Sequence, residues 1–181
     1  MLSAPAPVPH HRWILGLAIF VAIYLVLYAG YMGIPDRWLV EQVYFHAIVA
    51  PGAAVIHALA AADPVQAVGN RLIHGGSVIE IVRGCDGAAM LFLIAAAIAT
   101  CAATRRATIR ASLWGLLGAL VSVWLLNQAR VVTLYFALTR QPDWFVPLHT
   151  VVFPTLFVLC GLVYFSLWST SADKREPQPA A

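Results

Sequence analysis

A chain of 181 residues that is 61% hydrophobic and only 10% charged has too little polar surface to cover a soluble globule of its size. Its net charge of +3 is scattered over helix ends and forms no basic, aromatic-studded stripe, so nucleic acid is not a partner that composition implies. Cys85, Cys101 and Cys160 are isolated, with no CxxC pair and no His/Cys ligand spacing, which argues against a disulfide framework, a zinc knuckle or any other metal site, and no cofactor is expected.

Residues 1–12, MLSAPAPVPHHR, are Pro/Ala-rich and read as a disordered tail ending at Arg12. The uncharged run 13–32 is long enough to span a bilayer and exceeds a signal-peptide core, so it reads as an uncleaved anchor. The stretch 43–62 is apolar but contains His46, Pro51, Gly52 and His57. Counting it as a span would place Arg105, Arg106 and Arg110 outside, against the positive-inside rule. It therefore reads as two short helices broken at Pro51-Gly52, lying on the membrane or re-entering it. Two β-branched runs around Gly75-Gly76, Arg71 to His74 and Ser77 to Val82, read as a hairpin.

Three further spans follow, at 87–103, 111–138 and 149–168, before a polar tail at 169–181 that carries Lys174 and Arg175. The expected fold is an all-α polytopic membrane bundle of four transmembrane helices, with interfacial or re-entrant helices and a short hairpin on the outer face, formed by 33–86. The whole of 13–168 is one membrane domain. Arg12, Arg105, Arg106, Arg110, Lys174 and Arg175 then lie on the cytoplasmic side, with both termini.

Helix rise converts sequence number into depth. Cys85 lies twenty residues before Arg105, and Arg130 twenty after Arg110, so each is about 30 Å from the inner edge, one hydrocarbon thickness. His149 opens the last span at the same outer level. A thiol at a helix N-terminus beside a guanidinium is in a setting that favours the thiolate. Asp86 opposes this by its charge, yet fits as a carboxylate for free backbone N–H groups, and Gly84 and Gly87 leave the thiol accessible to an extended peptide. Arg130, costly in an apolar helix, suits a developing oxyanion. Asn127, one turn earlier, holds the guanidinium or touches substrate. His149 is the natural acid/base for a cysteine nucleophile. Arg83 is a secondary candidate that also fits as decoration of the hairpin. The bland alternatives are a small apolar cysteine, as Cys101 and Cys160 read, a snorkelling arginine and an interfacial histidine.

The segments IVRGCDGAAMLFLIAAAIA, LLNQARVVTLYFAL and WFVPLHTVVFP resemble the exosortase/archaeosortase family over residues 65–168. The family's pattern falls on Cys85-Asp86-Gly87, on Asn127 with Arg130, and on His149. The resemblance implies a membrane cysteine transpeptidase with Cys85 as nucleophile and Arg130 and His149 completing a triad, in a Gram-negative inner membrane with the site facing the periplasm. It further implies substrate proteins bearing a C-terminal tripartite sorting signal, a Pro-Glu-Pro motif, a transmembrane helix and a basic cluster, with an acceptor that sequence does not identify. The family's longer members carry further N-terminal spans, so this chain looks like a compact subtype, similar to exosortase H or exosortase M. A rival reading is a non-enzymatic membrane subunit of a polysaccharide or protein export system, with Arg130 and Asn127 as packing glue. A transporter is a weaker rival, since no span carries an acidic residue at its middle.

Overall fold

The computed structural model describes residues 10–104 and 107–173, with side chains from 13 to 172 within those limits. Expectations for residues 1–9, Arg105, Arg106, Lys174 and Arg175 lie outside it. Helix α1 runs His10–Met32, so the first helix starts inside the stretch expected to be a disordered tail. Helix α2 runs Asp36–Leu59, strands β1 to β3 cover Gln66–Val68, Arg71–His74 and Ser77–Glu80, α3 is Ala88–Ala103, α4 Ile109–Arg140 and α5 Pro142–Ala172. Four of these helices are long and apolar enough to cross a membrane: α1 from Trp13, α2, α4 and α5. Helix α3, expected as a span, has sixteen residues, about 24 Å at 1.5 Å per residue and shorter than the hydrocarbon layer.

Helices α3, α4 and α5 pack around Ile94, Ile98, Ala119, Val123 and Phe157. Small residues let α4 and α5 approach closely: a Cβ on Gly115 would fall 2.3 Å from the Trp168 indole nitrogen, and one on Gly118 would lie 2.5 Å from the Tyr164 hydroxyl. Those two aromatics donate to α4 carbonyls, Tyr164 to Gly115 and Trp168 to Ala111. Helix α1 packs on α3 and buries none of its own residues from Trp13 onward. An open apolar slot lined by Phe20, Met90, Ala97, Gly161 and Phe165 separates it from α5. The outward faces carry Leu25, Val26, Leu113, Trp114, Leu159 and Leu167, all exposed, as a hydrocarbon solvent requires.

The second core lies along the C-terminal third of α4. There α2 and the sheet bury Ile48, Val49, Ile56, Leu72, Ile79 and Ile81 against Val131, Leu134 and Tyr135. Helix α2 is continuous, which corrects the expected break at Pro51-Gly52. In an α-helix the Ala47 carbonyl would accept from residue 51, and proline has no N–H to give. Instead the Trp124 indole (2.6 Å) and the Gln128 amide (3.0 Å) of α4 donate to that carbonyl, and the chain is wound as a π-helix over Leu39–Val49 just before the proline. Gly52 then fits against α4, since a Cβ there would be 3.4 Å from Gln128 Oε1 and from Val131.

Both ends of α2 are tied to the same end of the bundle, the one that holds Cys85. At its start Asp36 pairs with Arg83 at 2.9 Å; just past its end, Asp63 is bonded by Tyr135 near the close of α4. The expected hairpin is present, with Arg71 opposite Glu80, His74 opposite Ser77, and Gly75 at φ +55° in the turn. A third strand, Gln66–Val68, pairs antiparallel with β2; its short QAV run carries too little β-branched character to announce itself.

Candidate active site

Cys85 sits in the turn between β3 and α3, its N–H bonded to the Val82 carbonyl at 2.9 Å. It lies three positions before Ala88, the first helical residue, and Gly87 holds the N-cap position at φ +80°. Glycine suits that site, because the backbone is left-handed and a Cβ would press to 3.1 Å from Val123, with Asn127 in ordinary contact at 3.8 Å. Gly87 therefore seats α3 on α4, a packing role that the expectation of an open approach to the thiol did not include. Gly84, at φ +84°, is the glycine with open space around it.

The three expected side chains meet. Arg130 is 7% exposed, with its guanidinium over the Phe157 ring at 5.9 Å. Its Nη2 lies 3.8 Å from Cys85 Sγ and 3.4 Å from His149 Nδ1. Arginine stands between the other two, and no direct bond joins thiol and imidazole among the described residues. Since a guanidinium never accepts, this contact assigns the lone pair to Nδ1 and leaves the ring proton on Nε2. His149 belongs to a π-helical turn, Leu148–Val152, and its ring stacks flat on Phe145 at 5.7 Å and 4°.

The supporting residues divide. Asn127 is buried beside the site; its Oδ1 has no hydrogen-bond partner and it makes no bond to Arg130 among the described residues, so of its two expected roles, holding the guanidinium or touching substrate, the first is not seen. Arg83 is occupied with structure: it pairs with Asp36, donates to the carbonyls of Tyr31 and Ile34, and lies over the Tyr31 ring. Asp36 raises the Arg83 guanidinium further above its ordinary range. Asp86 caps α3 as expected, accepting from the Ala88 N–H at 3.1 Å. Its other oxygen accepts from the Tyr31 and Tyr44 hydroxyls, which are 2.9 Å from each other. Cys101 is half-buried and Cys160 exposed on α5, both remote from this cluster in sequence.

Residues that sequence reasoning missed include Tyr31, Tyr44 and a second polar cluster, Asp63, His74 and Tyr135. In that cluster His74 Nδ1 is 3.0 Å from Asp63 and 2.7 Å from the Tyr135 hydroxyl. The partners lie 11 to 72 residues apart, with no local spacing to reveal them. No group of three or more potential metal ligands occurs among the described residues. No family model, curated protein or solved structure matches the chain.

Proposed function

We propose that this chain is an exosortase-like membrane cysteine peptidase or transpeptidase acting on the C-terminal sorting signals of membrane-anchored proteins. The observation that carries the reading is the meeting of Cys85, Arg130 and His149, drawn from a turn and two different helices, at one end of an apolar bundle. An apolar protein that buries an arginine against a thiol and an imidazole, with no carboxylate paired to it among the described residues, supports a role for that charge in chemistry.

In the proposed reaction the Cys85 sulfur attacks the scissile carbonyl, forming a C–S bond as the carbonyl oxygen takes up negative charge opposite Arg130. As Arg130 turns to the oxyanion it frees the Nδ1 lone pair of His149, which takes up the thiol proton and gives it to the leaving amine as the C–N bond breaks. The resulting thioester yields to an acceptor amine or to water, and the thiol is restored. In the proposed arrangement α1, α3, α4 and α5 cross a bacterial inner membrane with both termini cytoplasmic, and α2 with the sheet covers the periplasmic end. The fastening of both ends of α2 to one end of the bundle supports this arrangement.

The test is co-expression with proteins ending in a short motif, an apolar helix and a basic cluster. Wild type removes the tail and Cys85→Ala does not. Equal processing by the two, with both inserted at equal levels, refutes the proposal.

A further inference from the structure

Asp86 and Arg130 flank the same cysteine, one adjacent in sequence and the other 3.8 Å from its sulfur, yet neither forms an ion pair among the described residues. Arg130 is buried and Cys85 and Asp86 are half-buried, a setting in which opposite charges brought into contact attract more strongly than in water. If they joined, the guanidinium would be committed to a carboxylate and lost to the thiolate. The Asp86 side chain is instead drawn toward α1 and α2: one oxygen accepts from the Tyr31 and Tyr44 hydroxyls, the other from the Ala88 N–H.

The tyrosines are themselves held. Tyr31 packs edge-on to Phe92 of α3 at 5.5 Å, and Arg83 grips its backbone carbonyl while lying over its ring. Tyr44 is 4% exposed within the π-helical stretch of α2. The turn that carries Cys85 is thus pinned on both sides, by Arg83 and Asp86, to the junction of α1 and α2. Among the described residues, Arg130 of α4 lies against the thiol and His149 of α5 against Arg130, while the turn's own Asp86 faces Tyr31 of α1 and Tyr44 of α2, and its Arg83 faces Asp36 of α2.

We infer that Tyr31 and Tyr44 are positioning residues of the site: their hydroxyls sequester the Asp86 carboxylate so that Arg130 remains free to serve Cys85. This rests on the reading of Cys85 as a nucleophile, but it concerns thiol reactivity and needs no substrate. Without the hydroxyls the carboxylate turns to Arg130, and the sulfur loses its cation.

The experiment measures the rate of Cys85 alkylation by N-ethylmaleimide at pH 7 in membranes carrying the full chain, followed peptide by peptide by mass spectrometry. In wild type Cys85 reacts faster than Cys160. The Tyr31→Phe/Tyr44→Phe double variant slows Cys85 by about tenfold, the effect of one charge interaction of ordinary strength on a thiolate population. Adding Asp86→Asn to that double variant restores the rate, because the competing charge is gone.

A purely structural clasp predicts the opposite for the triple variant, which has lost still more of the network. An unaltered rate in the double variant, or no recovery in the triple, overturns the inference. A wild-type Cys85 no faster than Cys160 overturns it as well. A wild-type chain that removes no tail, alongside the expected alkylation pattern, would instead count against the proposed reaction alone.

Discussion

At Arg130 the planar fork of donors matters as much as the charge. One nitrogen lies within reach of both Cys85 and His149, and the guanidinium carbon lies over the Phe157 ring, 5.9 Å from its centroid. A lysine keeps the charge but presents one compact ammonium in place of the fixed fork of donors. Arg130→Lys should therefore insert and fold normally yet lose processing by about 10²-fold, the magnitude associated with removing one oxyanion donor. A variant that retained wild-type processing would show that any cation at this height suffices. That Cys85, Arg130 and His149 share one level was legible in the sequence, because helix rise is constant. The contact was not, since facing depends on how α3, α4 and α5 pack. Asn127 illustrates the limit: its one-turn spacing from Arg130 is real, but spacing did not predict that its oxygen would lie buried without a donor.

At the scale of elements, the Asp63, His74 and Tyr135 cluster fastens the sheet and the end of α2 to α4. Burial pushes the Asp63 carboxyl up, and the hydrogen bonds from Tyr135 and His74 more than reverse this, leaving it below the usual carboxylate range. A depressed folded-state pKa stabilises the fold at pH values above the unfolded carboxyl's value of about 3.9, and that contribution is lost as pH falls through the folded value. The thermal stability of wild type in detergent should exceed that of Asp63→Asn at pH 5, and the gap should narrow as the pH is lowered to 3. A gap that widened in acid would contradict the assignment. This fastening was invisible in sequence because the bonds join residues up to 72 positions apart. The continuity of α2 was hidden for the same reason. Pro51 announces a break by every local rule, and what cancels it is a pair of donors on α4, 77 and 81 residues beyond the Ala47 carbonyl they satisfy.

Over the whole molecule, the apolar composition foretold a helical membrane bundle with the hairpin between its helices, and four helices do have the length and hydropathy to cross a membrane. They are not the four that the charge pattern selects, since α2 meets the length that α3 lacks. Length and composition identify candidates, whereas the side to which each end is tied depends on contacts such as Asp36 with Arg83 and Asp63 with Tyr135. The central claim is that the end of the bundle to which both are tied carries a nucleophilic thiol served by a cation and a base. The most direct measurement is the intact mass of the purified chain after reaction with a protein bearing a cleavable C-terminal tail. The account predicts an adduct, labile to hydroxylamine, that maps to Cys85 and is absent from Cys85→Ala. Tail removal with no such adduct, or with an adduct on another residue, would contradict it.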